Sequence, residues 1–176
     1  MTAPRKLLSK RARKWTLWVH ILASMLWLGA AVAMMVLSFA RPSQAQGDAA
    51  FHAFCLAVKL VDDFVIIGSC GLSALSGLLL SWKTPWGFFR YWWVAVKIVL
   101  TALLLTVGAS VIGPWINELE ALARDHGAAA SATPRFAFID VGVGILGVTQ
   151  ILILGFVLHA SVQKPWGKRE PRPTAS

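Results

Sequence analysis

The chain is 176 residues long, one domain by length, and 57% of it is hydrophobic against 14% charged. A water-soluble domain of this size has too little interior to hide that much apolar surface, so the composition excludes one and points to a bilayer. The formal charge is +9, but it gathers at the chain ends: Arg5, Lys6, Lys10, Arg11, Arg13 and Lys14 before the first apolar run, and Lys164, Lys168, Arg169 and Arg172 after the last. Basic clusters flanking apolar runs mark cytoplasmic loops and suit anionic lipid headgroups, so no nucleic-acid partner is expected.

The first apolar run, about 16–40, holds 25 residues without Asp, Glu, Lys or Arg. About 20 such residues cross the hydrocarbon core, and the run is too long for the apolar region of a cleaved signal peptide. The second span is about 60–82, uncharged from Phe64 to Trp82. Phe51, Phe54, Cys55 and Val58 recur at helical spacing ahead of it, so its helix is expected to start near Ala50, partly outside the bilayer. The third span is about 91–112, with one charge, Lys97, and Gly113-Pro114 then interrupts it. The fourth is about 141–162 and contains Gln150 and His159.

Between spans three and four, Trp115, Ile116, Leu119 and Leu122 share a helical face, Pro114 suits a first helical position, and Glu120 and Arg124 form an i,i+4 pair. A short amphipathic helix on the outer membrane surface is expected there. The small loop 82–90 is basic, whereas 113–140 carries Glu118, Glu120, Asp125 and Asp140 against Arg124 and Arg135. The reading is therefore all-α: one membrane domain over 1–176, a four-helix bundle with both termini cytoplasmic, in a bacterial cytoplasmic membrane. Tryptophans near the span ends, such as Trp15, Trp18, Trp82 and Trp115, form the interfacial belt. Gly29 with Ala33, Ser73 with Gly77, and Gly142, Gly144 and Gly147 offer small surfaces for close helix approach, within one chain or between chains of a homodimer.

Ionisable residues inside a span are costly and are functional candidates. His20, Lys97 and His159 lie six, seven and five residues from the nearest cytoplasmic basic residue, roughly 8–10 Å in at 1.5 Å per residue. Two imidazoles at one depth on different helices can be the axial ligands of a b-type haem, with Lys97 on a propionate; alternatively Lys97 snorkels and the histidines are structural. Ser24 and Trp27 share the face of His20. Asp62, Asp63 and Asp140 stand where helix N-termini are expected, and there they favour the helix dipole; a cation or proton entry site is the alternative. Gln150 is placed to hydrogen-bond across the bundle. Cys55 and Cys70 read as small buried hydrophobes, and His52 and His126 are a weak metal signal. No nucleophile elbow, phosphate loop, dinucleotide fingerprint or zinc-protease helix occurs, so hydrolase and nucleotide chemistry are not indicated.

His20, Trp27 and Gly29 on the first helix, TPWGFFRYWWVAVKIVLT from Thr84 to Thr101, and KPWG from Lys164 to Gly167 resemble the bacterial membrane family known as domain of unknown function 2269. The outline is similar, more distantly, to the four-helix membrane protoporphyrinogen oxidase and to copper resistance protein D, through His20, Trp27, Trp93 and Lys97. The oxidase likeness implies a haem ligand at His20. It lacks support elsewhere, since the third span has no histidine and only Asp140 enters the fourth. The expectation is a haem-b-binding or redox-accessory protein whose site is His20, His159, Lys97, Trp27 and Ser24. The alternative is a non-haem transporter, a copper or ion handler, or a subunit of a larger membrane complex, in which Asp62, Asp63, Asp140 and Gln150 matter more.

Overall fold

Apolar runs this long form helices because a bilayer offers the backbone no hydrogen-bond partner but itself. A computed structural model describes residues 7–84, 88, 91–163 and 166. Helix α1 (Lys10–Phe39) starts at Ser9, whose hydroxyl accepts from the Ala12 N–H at 3.2 Å, and stops at Ala40, whose N–H returns to Leu37 O at 2.9 Å. Helix α2 (Asp48–Leu60) runs through a π-helical turn (Val61–Ile66) into α3 (Ile67–Lys83). Helix α4 (Trp92–Val107) runs through a second π-helical turn (Gly108–Ile112) into α5 (Gly113–His126) and a 3₁₀ segment ending at Ala132. Helix α6 is Pro134–Gln163.

These make four rods long and apolar enough to cross a membrane: Lys10–Phe39, Asp48–Lys83, Trp92–Ala132 and Pro134–Gln163. The start of the first rod and the end of the second lie at one end of the bundle. There the Leu8 N–H bonds Lys83 O at 3.0 Å. The second rod has 36 residues and the third 41, roughly 55–60 Å of helix against a core of about 30 Å, so both overshoot it at the end remote from the termini.

The overshoot builds a small hydrophobic core of its own. Phe51 and Cys55 of α2, Leu119 and Ala123 of α5, Ala128 and Ala130 of the 3₁₀ segment, and Phe136 and Ile139 of α6 are all buried together. The Phe51 and Phe136 rings sit 5.6 Å apart, and burying each stabilises the cap by about 1.5–3 kcal/mol. Asp48 closes the cap by accepting the Ala128 N–H at 2.8 Å. Gly127, at φ 59°, makes the turn there, and a Cβ on it would strike the Asp48 carboxyl.

Across the membrane-length part the surface is different. Phe64, Leu75 and Leu152 are 75%, 69% and 68% exposed, a density of bare apolar side chains that only lipid tails accommodate. Helix α1 packs most closely on α3, where Ala23 and Ala30 of α1 and Ser69, Ser73 and Ser76 of α3 are buried. Helix α6 closes the bundle against α1 and α4.

Several expectations change. The helix in the 113–140 segment exists, but it continues the third span instead of lying apart from it. Pro114 has no N–H and its ring crowds the carbonyl four residues back; the widened π turn just before it absorbs this, and the helix carries on. Its buried side, Ile116, Leu119 and Ala123, packs on α2. Asp62 and Asp63 are not at a helix start, because that helix begins 14 residues earlier, at Asp48; Asp140 likewise lies six residues inside α6. Among the small residues, Gly29 and Gly144 meet nothing within 4 Å of where a Cβ would stand. Gly142 and Gly147 do mark close approach: a Cβ would come 2.5 Å from the Trp115 ring at the first and 3.2 Å from Met35 Cε at the second. Pro85, Trp86, Gly87, Arg90 and most of the segment after Gln163 lie outside the described residues.

Candidate functional site

The residues picked out from the sequence divide between two places. The first is the α1–α3 seam. His20 Nδ1 lies 2.9 Å from Ser73 O and 3.2 Å from Ser76 Oγ. A carbonyl only accepts, so Nδ1 carries a proton and donates it, and in the neutral ring Nε2 keeps the lone pair. Ser24 Oγ donates to His20 O at 2.8 Å and sits 2.7 Å from Ser73 Oγ, tying the same two helices. Gly77 makes the fit: a Cβ there would lie 3.0 Å from His20 Cε1. Lys97, half-buried on α4, stands within electrostatic reach of His20, with Nζ 5.8 Å from the Trp93 ring centroid. His20, Ser24 and Lys97 therefore belong to one neighbourhood. His159 is exposed on α6 and makes no hydrogen bond or ion pair among the described residues, whereas the adjacent Ala160 is fully buried.

The second place is a cavity of about 1340 Å³ between the rods, running from mid-bundle to the remote end. Trp27, Cys70, Leu104 and Gln150 line its inner part, and Arg41, Phe54, Asp63 and Asp140 its far part. Val141 and Ile145 also line it and are 61% and 63% exposed, so one side is open. Of the five residues assigned to a cofactor from sequence, Trp27 alone lines this cavity.

The charges in the cavity are mostly matched. Arg41 grips Asp140 with two nitrogens, Nη1 to Oδ2 at 2.9 Å and Nη2 to Oδ1, and its guanidinium lies 5.5 Å from the Phe136 ring centroid. Lys59 pairs with Asp63 one turn along the helix. Asp62 is 5% exposed and has no hydrogen bond or ion pair among the described residues. It stands in the Val61–Ile66 π turn, and its Oδ2 approaches Gly113, at the end of the other π turn, to 3.9 Å of where a Cβ would be. Such single-turn bulges recur at functional sites, because the extra residue re-aims a side chain out of the α register. Among the described residues the Trp27 indole N–H, buried at 3% exposure, has no acceptor, and neither does Arg41 Nε. Gln150 is buried at 7%.

Other polar groups sit in the cap. His52 Nε2 lies 3.0 Å from Glu120 Oε1, Arg124 reaches Glu120 Oε2 at 3.6 Å, and Arg135 makes two 2.7 Å bonds to Glu118. Among the described residues no three of His, Cys, Asp and Glu converge as a metal site would require, and Cys55 and Cys70 are free thiols.

No family model, curated protein or solved structure matches this chain. The cavity was not visible in the sequence. Its one signal was an acidic pair placed beyond the first turns of a helix, where the dipole no longer accounts for it.

Proposed function

We propose that this multi-pass membrane protein holds a lipid-soluble small molecule in the cavity between its spans, drawn from the bilayer through the open side. The cavity itself carries the reading: about 1340 Å³, walled by apolar side chains with a few buried polar groups among them. Ligand pockets of roughly 300–1,000 Å³ have this make-up, apolar walls for affinity and sparse polar groups for orientation. Gly71 and Gly144 line the cavity, and a Cβ on either would meet nothing within 4 Å, so Gly71→Phe and Gly144→Phe add bulk at its wall without a clash at Cβ. Protein in lipid nanodiscs should bind the neutral dye Nile red above the level of empty nanodiscs, and the filled double variant should not. Equal binding by the filled variant refutes the reading. We place the protein in a bacterial cytoplasmic membrane with both termini inside, on the strength of the basic ends.

Haem b at His20 is the second reading, and one observation favours it. The Nδ1–H to Ser73 O bond leaves Nε2 as the free nitrogen, the orientation that metal-bound histidines adopt. Lys97 nearby would suit a propionate. The protein purified in mild detergent from haem-replete cells should then show a Soret band that His20→Ala removes. Loss in His159→Ala as well would make His159 the second ligand. No band at any haem supply eliminates the haem reading and leaves the cavity reading intact.

A further inference from the structure

We infer that the cavity selects an apolar organic cation, with Asp62 as its counter-ion; this rests on the cavity being a ligand site. Arg41 and Asp140 cancel at the far rim, and Lys59 and Asp63 cancel on the helix that carries Asp62. The walls from α4, the second π turn and α5 contribute Leu104, Gly108 and Gly113 among others and no charge. One carboxyl is left, Asp62, 5% exposed and without a hydrogen bond or ion pair among the described residues; Lys59, which acts on it electrostatically, is paired with Asp63.

A carboxylate in such surroundings is costly unless a positive charge, a donor or a bound proton meets it. An anion in the cavity raises that cost, and a neutral hydrocarbon leaves it unchanged. A cation with apolar bulk removes it while covering the walls. Aromatic faces suited to a positive charge also line the space: Trp27, wholly inside the bundle, and Phe54. Independent of charge, Asp62 stands in the π-helical turn Val61–Ile66, and its Oδ2 approaches Gly113, the first residue of α5, which directly follows the second π turn, Gly108–Ile112. The unpartnered Trp27 N–H on the cavity wall adds a second buried polar group without a protein partner.

Tetraphenylphosphonium and tetraphenylborate test this, being nearly the same shape with opposite charge. The full chain is assembled in phosphatidylcholine nanodiscs, and binding is measured by equilibrium dialysis against empty nanodiscs. The expected result is saturable binding of tetraphenylphosphonium, at least tenfold weaker in Asp62→Asn, with tetraphenylborate no higher than in empty nanodiscs. Unchanged phosphonium affinity in Asp62→Asn, or equal binding of the borate by the unaltered protein, overturns the proposal. Should Asp62→Asn not fold, the phosphonium-to-borate preference of the unaltered protein decides alone. Nile red binding separates the two levels: if it persists while the phosphonium fails, the cation assignment falls and the ligand cavity stands. If neither binds, both fall.

Discussion

Replacing Arg41 with alanine removes the clamp between the residue just past the C-cap of α1 and the seventh residue of α6, Asp140. The two side chains are 25% and 32% exposed, between a surface pair and a buried one. At an effective dielectric near 20, unit charges 4 Å apart attract by about 4 kcal/mol, and desolvation of both ions offsets much of that. A two-pronged charged pair at this exposure is left with a coupling of about 2 kcal/mol. Arg41→Ala also loses the guanidinium's packing on Phe136, so its total cost should reach about 3 kcal/mol. The assay is a double-mutant cycle of Arg41→Ala and Asp140→Ala, with reversible unfolding followed by steric trapping in bicelles. The double variant should be about 2 kcal/mol more stable than the sum of the single effects implies. A coupling under about 0.5 kcal/mol, the level of an exposed ion pair, would refute the reasoning and detach the clamp from the cavity rim.

Gly142→Ala puts a methyl group 2.5 Å from the Trp115 ring, so the indole must move. A cost of about 1–3 kcal/mol and a shift in tryptophan emission are expected, and emission identical to the parent contradicts the contact. Gly77→Ala crowds His20, so its destabilisation should shrink in a His20→Ala background; equal costs in both backgrounds rule out the seam described above. With the native cysteines replaced by serine, Asp125→Cys, exposed in the cap, should react with a membrane-impermeant maleimide on intact cells. Labelling only after lysis reverses the orientation proposed from the basic ends.

Much of the architecture is local and was readable. A bilayer responds to length and hydropathy, so four apolar runs (16–40, 64–82, 91–112 and 141–162), bounded by Lys14, Arg90, Lys164 and the acidic segment 113–140 and holding Lys97 as their one charge, were enough to place four rods. Helical spacing likewise identified Phe51, Cys55, Ile116 and Leu119 as one side of their helices, and these are buried in the cap.

Rotation was not, since it depends on which neighbour each helix meets. Spacing from the basic flanks puts His20 and His159 at one expected depth, yet one is hydrogen-bonded into the α1–α3 seam and the other is exposed on α6. Glycines showed the same limit: Gly29 and Gly142 look alike in sequence, but only the second has a ring pressed against it. The four rods that opened the argument were thus determined by the sequence alone, because lipid tests each run separately. Which faces met, where Pro114 was absorbed into a π turn, and how Asp62 came to stand unpaired in a cavity were decided by the tertiary structure. Those outcomes depend on contacts between residues far apart in the chain, such as Arg41 with Asp140, and no local pattern encodes them.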